Sequence, residues 1–370
     1  MPSLRYAAAL EEARASNRVI LDLTEGDPAR SGLGWDAEEL LDIEGRRRAA
    51  AQEAMIPEAR EAISSYLAGH GASIDPQRVF LVRSRREALR LVLDALCDDT
   101  SEVLVPVPSR PLLDSGTPVR QRRYALVFDE RWRIDRQSIQ RAITASCRAI
   151  LVGNPADPTG ASLSREEFGF LGHLCEAKQL ALVGDESFLD SLSEPTQSVA
   201  SSRRCLAIHI GGLGGVCGLP DLEGEWLALG GPDALAQPLA SRLASMTGAD
   251  LAGARRGVAL LPALLGRREA FLSPLRARLT KNRSTLATAS LREAPWTMQW
   301  GGGYWAVLQI NPNQDEDELC LALLEEGIAV QPGSQGGFPQ QGYLIVSLLP
   351  KPAILDAALG QIEAQLRRPV

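Results

Sequence analysis

Ala149-Ile150-Leu151-Val152-Gly153 runs straight into Asn154-Pro155-Ala156-Asp157-Pro158-Thr159-Gly160. A short apolar run that empties into a turn with two prolines and a closing glycine reads as a buried strand followed by a rigid loop. The pattern repeats outward from this point. Leu180-Ala181-Leu182-Val183-Gly184 delivers Asp185-Glu186-Ser187-Phe188, and Leu206-Ala207-Ile208-His209-Ile210 delivers the glycine-rich stretch from Gly211 to Pro220. Strands fit at 79–82, 102–105, 124–127, 150–152, 181–183, 206–208 and 226–229. Helical patterns lie between them. Pro57 with Glu58 is one start signal, and Ser84-Arg85-Arg86-Glu87 and Ser164-x-x-Glu167 read as capping boxes. Strands alternating with helices specify an α/β fold, here a doubly wound, mostly parallel seven-stranded sheet.

Beyond Arg255 the style changes. A helical pattern reaches about Ala289, and strand candidates at 304–308 and 343–347 then alternate with helices at 316–326 and 352–367. The division expected is an N-terminal segment (1–45) completing a small domain, a large domain (46–250), and a linking helix with a small α+β C-terminal domain (251–370). The chain has 370 residues and a net charge of −7 without a block of like charges, which argues against nucleic acid or an anionic membrane surface as partner. No apolar run is long enough to span a membrane, and the N-terminus has no secretory core. Six scattered cysteines, none in a Cys-x-x-Cys pair, and three histidines give no zinc pattern and favour a reducing, cytoplasmic setting. Lysine occurs only at Lys178, Lys281 and Lys351.

These strand-to-turn elements resemble those of class I/II aminotransferases, the fold-type-I enzymes that use pyridoxal phosphate. The resemblance spans nearly the whole chain. Leu21-Asp22-Leu23-Thr24-Glu25-Gly26-Asp27-Pro28 is similar to the opening of one bacterial branch, and Val330-Gln331-Pro332-Gly333 and Val346-Ser347-Leu348-Leu349 to its small-domain motifs. Cofactor chemistry of this kind needs an amine for the Schiff base and a carboxylate on the ring nitrogen. It also needs an amide for the ring phenolate, an aromatic face, and a phosphate cradle at a helix N-terminus. The resemblance places the ring carboxylate at Asp185, the amide at Asp157 and the stacking aromatic at Arg110. The phosphate loop falls on Ser84-Arg85-Arg86, the lysine-loop serines on Gly211 and Gly214, and the distal phosphate cation on Glu223. A tyrosine supplied across the dimer falls near Ala49. The Schiff-base lysine falls on Gly215.

Only Asp185 keeps the expected chemistry, so the expectation is a degenerate member with no catalytic residue, no bound cofactor and no enzymatic activity. Such a chain would serve as a structural or regulatory subunit, as a homodimer or a heterodimer with an aminotransferase-fold partner. Two alternatives stay open: a pyridoxal phosphate-dependent aminotransferase, or a repurposed enzyme on the same fold that binds a small anionic ligand through Arg85, Arg86 and Arg110. Plainer readings stand beside these. Ser84 is explained as an N-cap, Asp185 as a hydrogen-bond acceptor at a strand end, His209 as a packed core histidine and Cys217 as an inert thiol. Arg85 and Arg86 oppose the dipole of the helix they open, so they require water or anions. Cations have appeared where phosphate and ring would sit, and a carboxylate where the phosphate's cation would be. The expected pairings are therefore Arg110 with Asp185 or Asp157, and Glu223 with Arg85 or Arg86.

Overall fold

Val79–Val82, Ala181–Asp185 and Ala207–Gly212 are buried along their whole length, which is why they read as continuous apolar runs rather than alternating ones. The computed structural model describes residues 4–16, 18–47, 55–113, 117–192, 196–247, 255–290 and 294–368. Eight strands form the main sheet, in the spatial order Val79–Val82, Glu225–Gly230, Ala207–Gly212, Ala181–Asp185, Cys147–Gly153, Glu102–Val107, Arg120–Asp129, Arg131–Ile134. Glu225–Gly230 and Arg131–Ile134 run against the other six. The expected count of seven is therefore one short. Arg131–Ile134 pairs antiparallel with the end of Arg120–Asp129, across a turn where Glu130 takes φ 60°.

Helices cover both faces. Arg85–Leu96 and Asp233–Met246 bury one side of the sheet, and Met55–Ala68, Arg255–Arg267 and Arg165–Lys178 the other. Ser164 opens Arg165–Lys178 with a complete capping box. At Ser84 only half of the box forms: Glu87 N–H donates to Ser84 Oγ at 3.2 Å, but the Glu87 carboxylate turns back to Arg83 N–H at 2.7 Å. The helical stretch expected from Arg255 onward is two helices, Arg255–Arg267 and Glu269–Ser290.

A second, four-stranded antiparallel sheet has the order Thr297–Gln299, Trp305–Gln309, Tyr343–Ser347, Gln331–Pro332. Glu316–Glu325 and Pro352–Leu366 accompany it. The N-terminal part joins this sheet's neighbourhood, since Leu21–Asp22 pairs parallel with Ile328–Ala329 and buried Tyr6 donates to the Val330 carbonyl. No helix among the described residues is long and apolar enough to cross a membrane.

Candidate active site

Parallel strands bring their carboxyl ends to one edge of the sheet, and in open α/β sheets that edge is where ligands bind. The register aligns Gly153 with Asp185 and Asp185 with Ile210, so the turn after residue 153, the Asp185 loop and the glycine stretch after 210 emerge side by side. Arg85 enters from the first turn of its helix, and its Nη1 donates to Asp185 Oδ2 at 2.5 Å. The other carboxylate oxygen of Asp185 accepts from Ser187 N–H at 3.2 Å and Ser187 Oγ at 2.7 Å. Asp185 is thus buried and engaged on both oxygens. Its charge, together with those of Asp157 and Glu225, raises the Arg85 pKa further despite burial. This answers the dipole argument: the cation that opposes its helix has found an anion.

Arg110 makes the second pairing. Its Nε donates to Asp157 Oδ1 at 2.8 Å, its Nη2 to Gln331 Oε1 at 2.6 Å, and the guanidinium lies 4.7 Å from the Trp305 ring centroid. Burial pushes the Asp157 carboxyl up, and the charges of Arg110 and Arg85 pull the other way. The two guanidiniums are partly exposed and border different grooves. Arg110 opens on one of about 490 Å³ shared with Arg123, Glu316 and Gln341, and Arg85 with Arg86 on one of about 940 Å³ walled by Leu112 and Val119.

Glu223 does not take the place expected of it. It is exposed, its carbonyl packs on Gly257, and the carboxylate that Arg85 holds is Asp185. A second carboxylate acts on Arg85 through its charge: Glu225, two residues on from Glu223 and the cross-strand neighbour of Gly212. It accepts from Gly214 N–H. Burial and then the Asp185 charge push it up to about 7, against the pull of Arg85. Sequence reasoning missed this residue.

Gly215 has no space for a side chain. A Cβ there would stand 1.7 Å from the Ser187 carbonyl oxygen, and Tyr304 Oη lies 3.4 Å from the Gly215 carbonyl. The three lysines are exposed elsewhere. Ala49 lies outside the described residues. Ser84 caps its helix, and Arg86 lies on the exposed side of the same turn. Asp185 would suit a protonated ring nitrogen, but its carboxylate already holds Arg85, and neither Gly215 nor Asp157 supplies the group the family's cofactor needs. The residues present do not fit pyridoxal phosphate held through a lysine.

Beneath the site, Glu186 and His209 are fully buried. Trp226 Nε1 donates to His209 Nε2 at 3.0 Å, so Nε2 is the acceptor, and Nδ1–H donates to Glu186 at 2.7 Å. Glu186 also accepts from Asn154 Nδ2, Val199 N–H and Ser198 Oγ. This network locks His209 as a neutral core residue. Cys217 is buried too, its thiol pushed up to about 12.

Comparison with known proteins places this geometry. The profile described as aminotransferase class I and II matches residues 20–361, and the chain belongs to that family, whose cofactor is pyridoxal phosphate. It is 26% identical to an alanine aminotransferase of Mycobacterium tuberculosis, covering 98% of this chain and 88% of that protein. It is also 26% identical to an aspartate/prephenate aminotransferase of Thermus thermophilus, over 96% and 94% of the two chains. Solved structures agree in fold. An aminotransferase from Escherichia coli superposes with a TM-score of 0.84 at 22% identity, covering 98% of this chain and 94% of its own. These relatives overturn two expectations. A structural or regulatory subunit without activity finds no counterpart among relatives named as aminotransferases, and the family is one of enzymes. The degenerate positions are real, but loss of one familiar set of contacts does not by itself remove function from a site.

Proposed function

We propose that this protein is an enzyme acting on an amino acid or a 2-oxo acid at the carboxyl edge of its main sheet, without a cofactor link at position 215. The names of its relatives suggest the substrate class. The observation that carries the reading is the pair of partly exposed guanidiniums, Arg85 and Arg110, at the mouths of two grooves on that edge. A planar guanidinium is the side chain best matched to a carboxylate, the group that amino acids and 2-oxo acids share. Arg85 or Arg110, each on its own groove, would orient that carboxylate, and Glu225 would hold or release a proton near neutrality. The crowding of Gly215 by Ser187 supports the absence of a covalently held cofactor. We further infer a cytoplasmic homodimer. The six free cysteines support the compartment, the subunit-shared site implied by the family resemblance supports the dimer, and light scattering tests the latter.

Calorimetric titration of the purified protein with L-alanine, L-aspartate, pyruvate and 2-oxoglutarate tests the function, with and without added pyridoxal phosphate. Saturable binding of at least one acid, with no borohydride-fixed lysine adduct, is expected. Failure of all four to bind sinks the proposal. A fixed pyridoxyl-lysine accompanied by amino-group exchange would replace it with the cofactor-dependent aminotransferase.

A further inference from the structure

Glu225 faces Gly212 on one side and Val82 on the other within the main sheet. Its side chain does not leave the sheet. It lies across bare Gly212, so closely that a Cβ on residue 212 would stand 1.6 Å from Oε2 and 2.3 Å from Oε1. Gly214 lies at the rim, where a Cβ would stand 3.6 Å from Oε1, an ordinary contact. The Gly214 backbone N–H donates to the carboxylate, and the charges of Arg85, on the helix that opens at Ser84, and of Asp185, on the next strand but one, both act on it. The missing side chain of Gly212, one amide donor and the charge of Arg85 therefore make a recess shaped for a carboxylate.

The present occupant is loosely suited to it. Burial and the nearby Asp185 carboxylate work against the ionised form of Glu225, and its pKa of about 7 says that Arg85 and Gly214 do not recover that cost. Near neutrality the side chain sheds its charge at little expense, so its hold on the recess is weak. A ligand carboxylate is intrinsically more acidic and would keep its charge there. Asp185 remains beside the recess in either case, which favours a singly charged carboxylate over a doubly charged phosphate.

We propose that the recess over Gly212 is a carboxylate subsite and that Glu225 is its resident occupant, which swings out when a ligand's carboxylate takes its place over Gly212 and accepts from Gly214 N–H. The ligand class rests on the function proposed above; the recess rests on the packing of Glu225 over Gly212.

Glu225→Ala empties the recess, and acetate is the probe. Acetate should raise the melting temperature of the variant saturably, with an apparent Kd at least tenfold below that of any wild-type response. A folded Glu225→Ala protein whose melting temperature ignores acetate overturns the proposal, as does a wild type that responds equally. If alanine abolishes folding, Glu225→Asp, one methylene shorter, is read the same way with formate, and no formate response overturns it. The two proposals fail separately. Acetate uptake by the variant with no amino- or oxo-acid binding by the wild type removes the substrate class and leaves the recess. Pyruvate binding by the wild type with no acetate uptake by the variant removes the recess alone.

Discussion

Arg110 carries three unlike contacts on one guanidinium: a carboxylate, a side-chain amide and an indole face. Removing one member of a buried ion pair is costly because the other keeps its charge away from water. Asp157 retains 21% of its side-chain exposure, so water recovers part of that cost. Arg110→Ala should therefore destabilise the fold by about 2–4 kcal/mol, below the upper range for fully buried pairs. Urea denaturation measures it, and a variant with an unchanged midpoint would mean that solvent already screens the pair. This pairing was legible in the sequence, because Arg110 and Asp157 each occupy a fixed place in a recognisable turn. Glu225 was not. Its role depends on lying opposite Gly212, and that register joins residues thirteen apart through a hydrogen-bonded ladder that no local motif reports. Glu223 carries the right charge but stands two residues before the strand begins.

The elements behind the site are held by a histidine clamp that local pattern could not reveal. His70 follows helix Met55–Ala68; its Nδ1 meets the Thr196 carbonyl at 2.8 Å and its Nε2 meets Asp190 Oδ1 at 3.3 Å. Both ring nitrogens face acceptors, which favours the imidazolium. Burial lowers the His70 pKa, but the hydrogen bond and charge of Asp190, with the Thr196 carbonyl, outweigh it and raise the pKa above 6.5. A raised folded-state pKa contributes stability that is fully present below 6.5 and is lost as pH rises through the folded value. His70→Gln keeps a donor but cannot titrate. The loss of wild-type stability as pH rises above 6.5, read from urea midpoints, should shrink in this variant; an identical pH dependence would remove His70 as its source. The apolar strands were easier to foresee than this clamp or the strand Arg131–Ile134. Arg131-Trp132-Arg133-Ile134 alternates as an edge strand should, yet it is short and its turn uses Glu130 rather than glycine or asparagine.

Across the whole molecule, the two sheets are joined by backbone contacts as well as by side chains. Gly302 N–H donates to the Gly160 carbonyl at 2.5 Å, and Gly303 N–H to Ser191 Oγ at 2.9 Å. The proline turn that identified the fold thus ends by docking on the second sheet's glycine segment. Arg110 extends the same seam, bonding Asp157 on one side and Gln331 on the other, and Gln331 Nε2 reaches the Thr24 carbonyl at 3.2 Å. Gly160 has φ +69°, and a Cβ there would stand 2.2 Å from Gly302 O and 2.3 Å from Gly302 N. Gly303 is the natural control: its φ is +75°, but nothing lies within 4 Å of its Cβ position. Gly303→Ala should cost only the left-handed backbone penalty, about 1–2 kcal/mol. Gly160→Ala adds a collision with backbone that cannot rotate away, for a total of about 2–5 kcal/mol. Scanning calorimetry should show Gly160→Ala melting well below Gly303→Ala, with its transition broadened or split as the two sheets lose their coupling. Equal melting temperatures for the two variants would mean that the Gly160–Gly302 contact does not hold the sheets together.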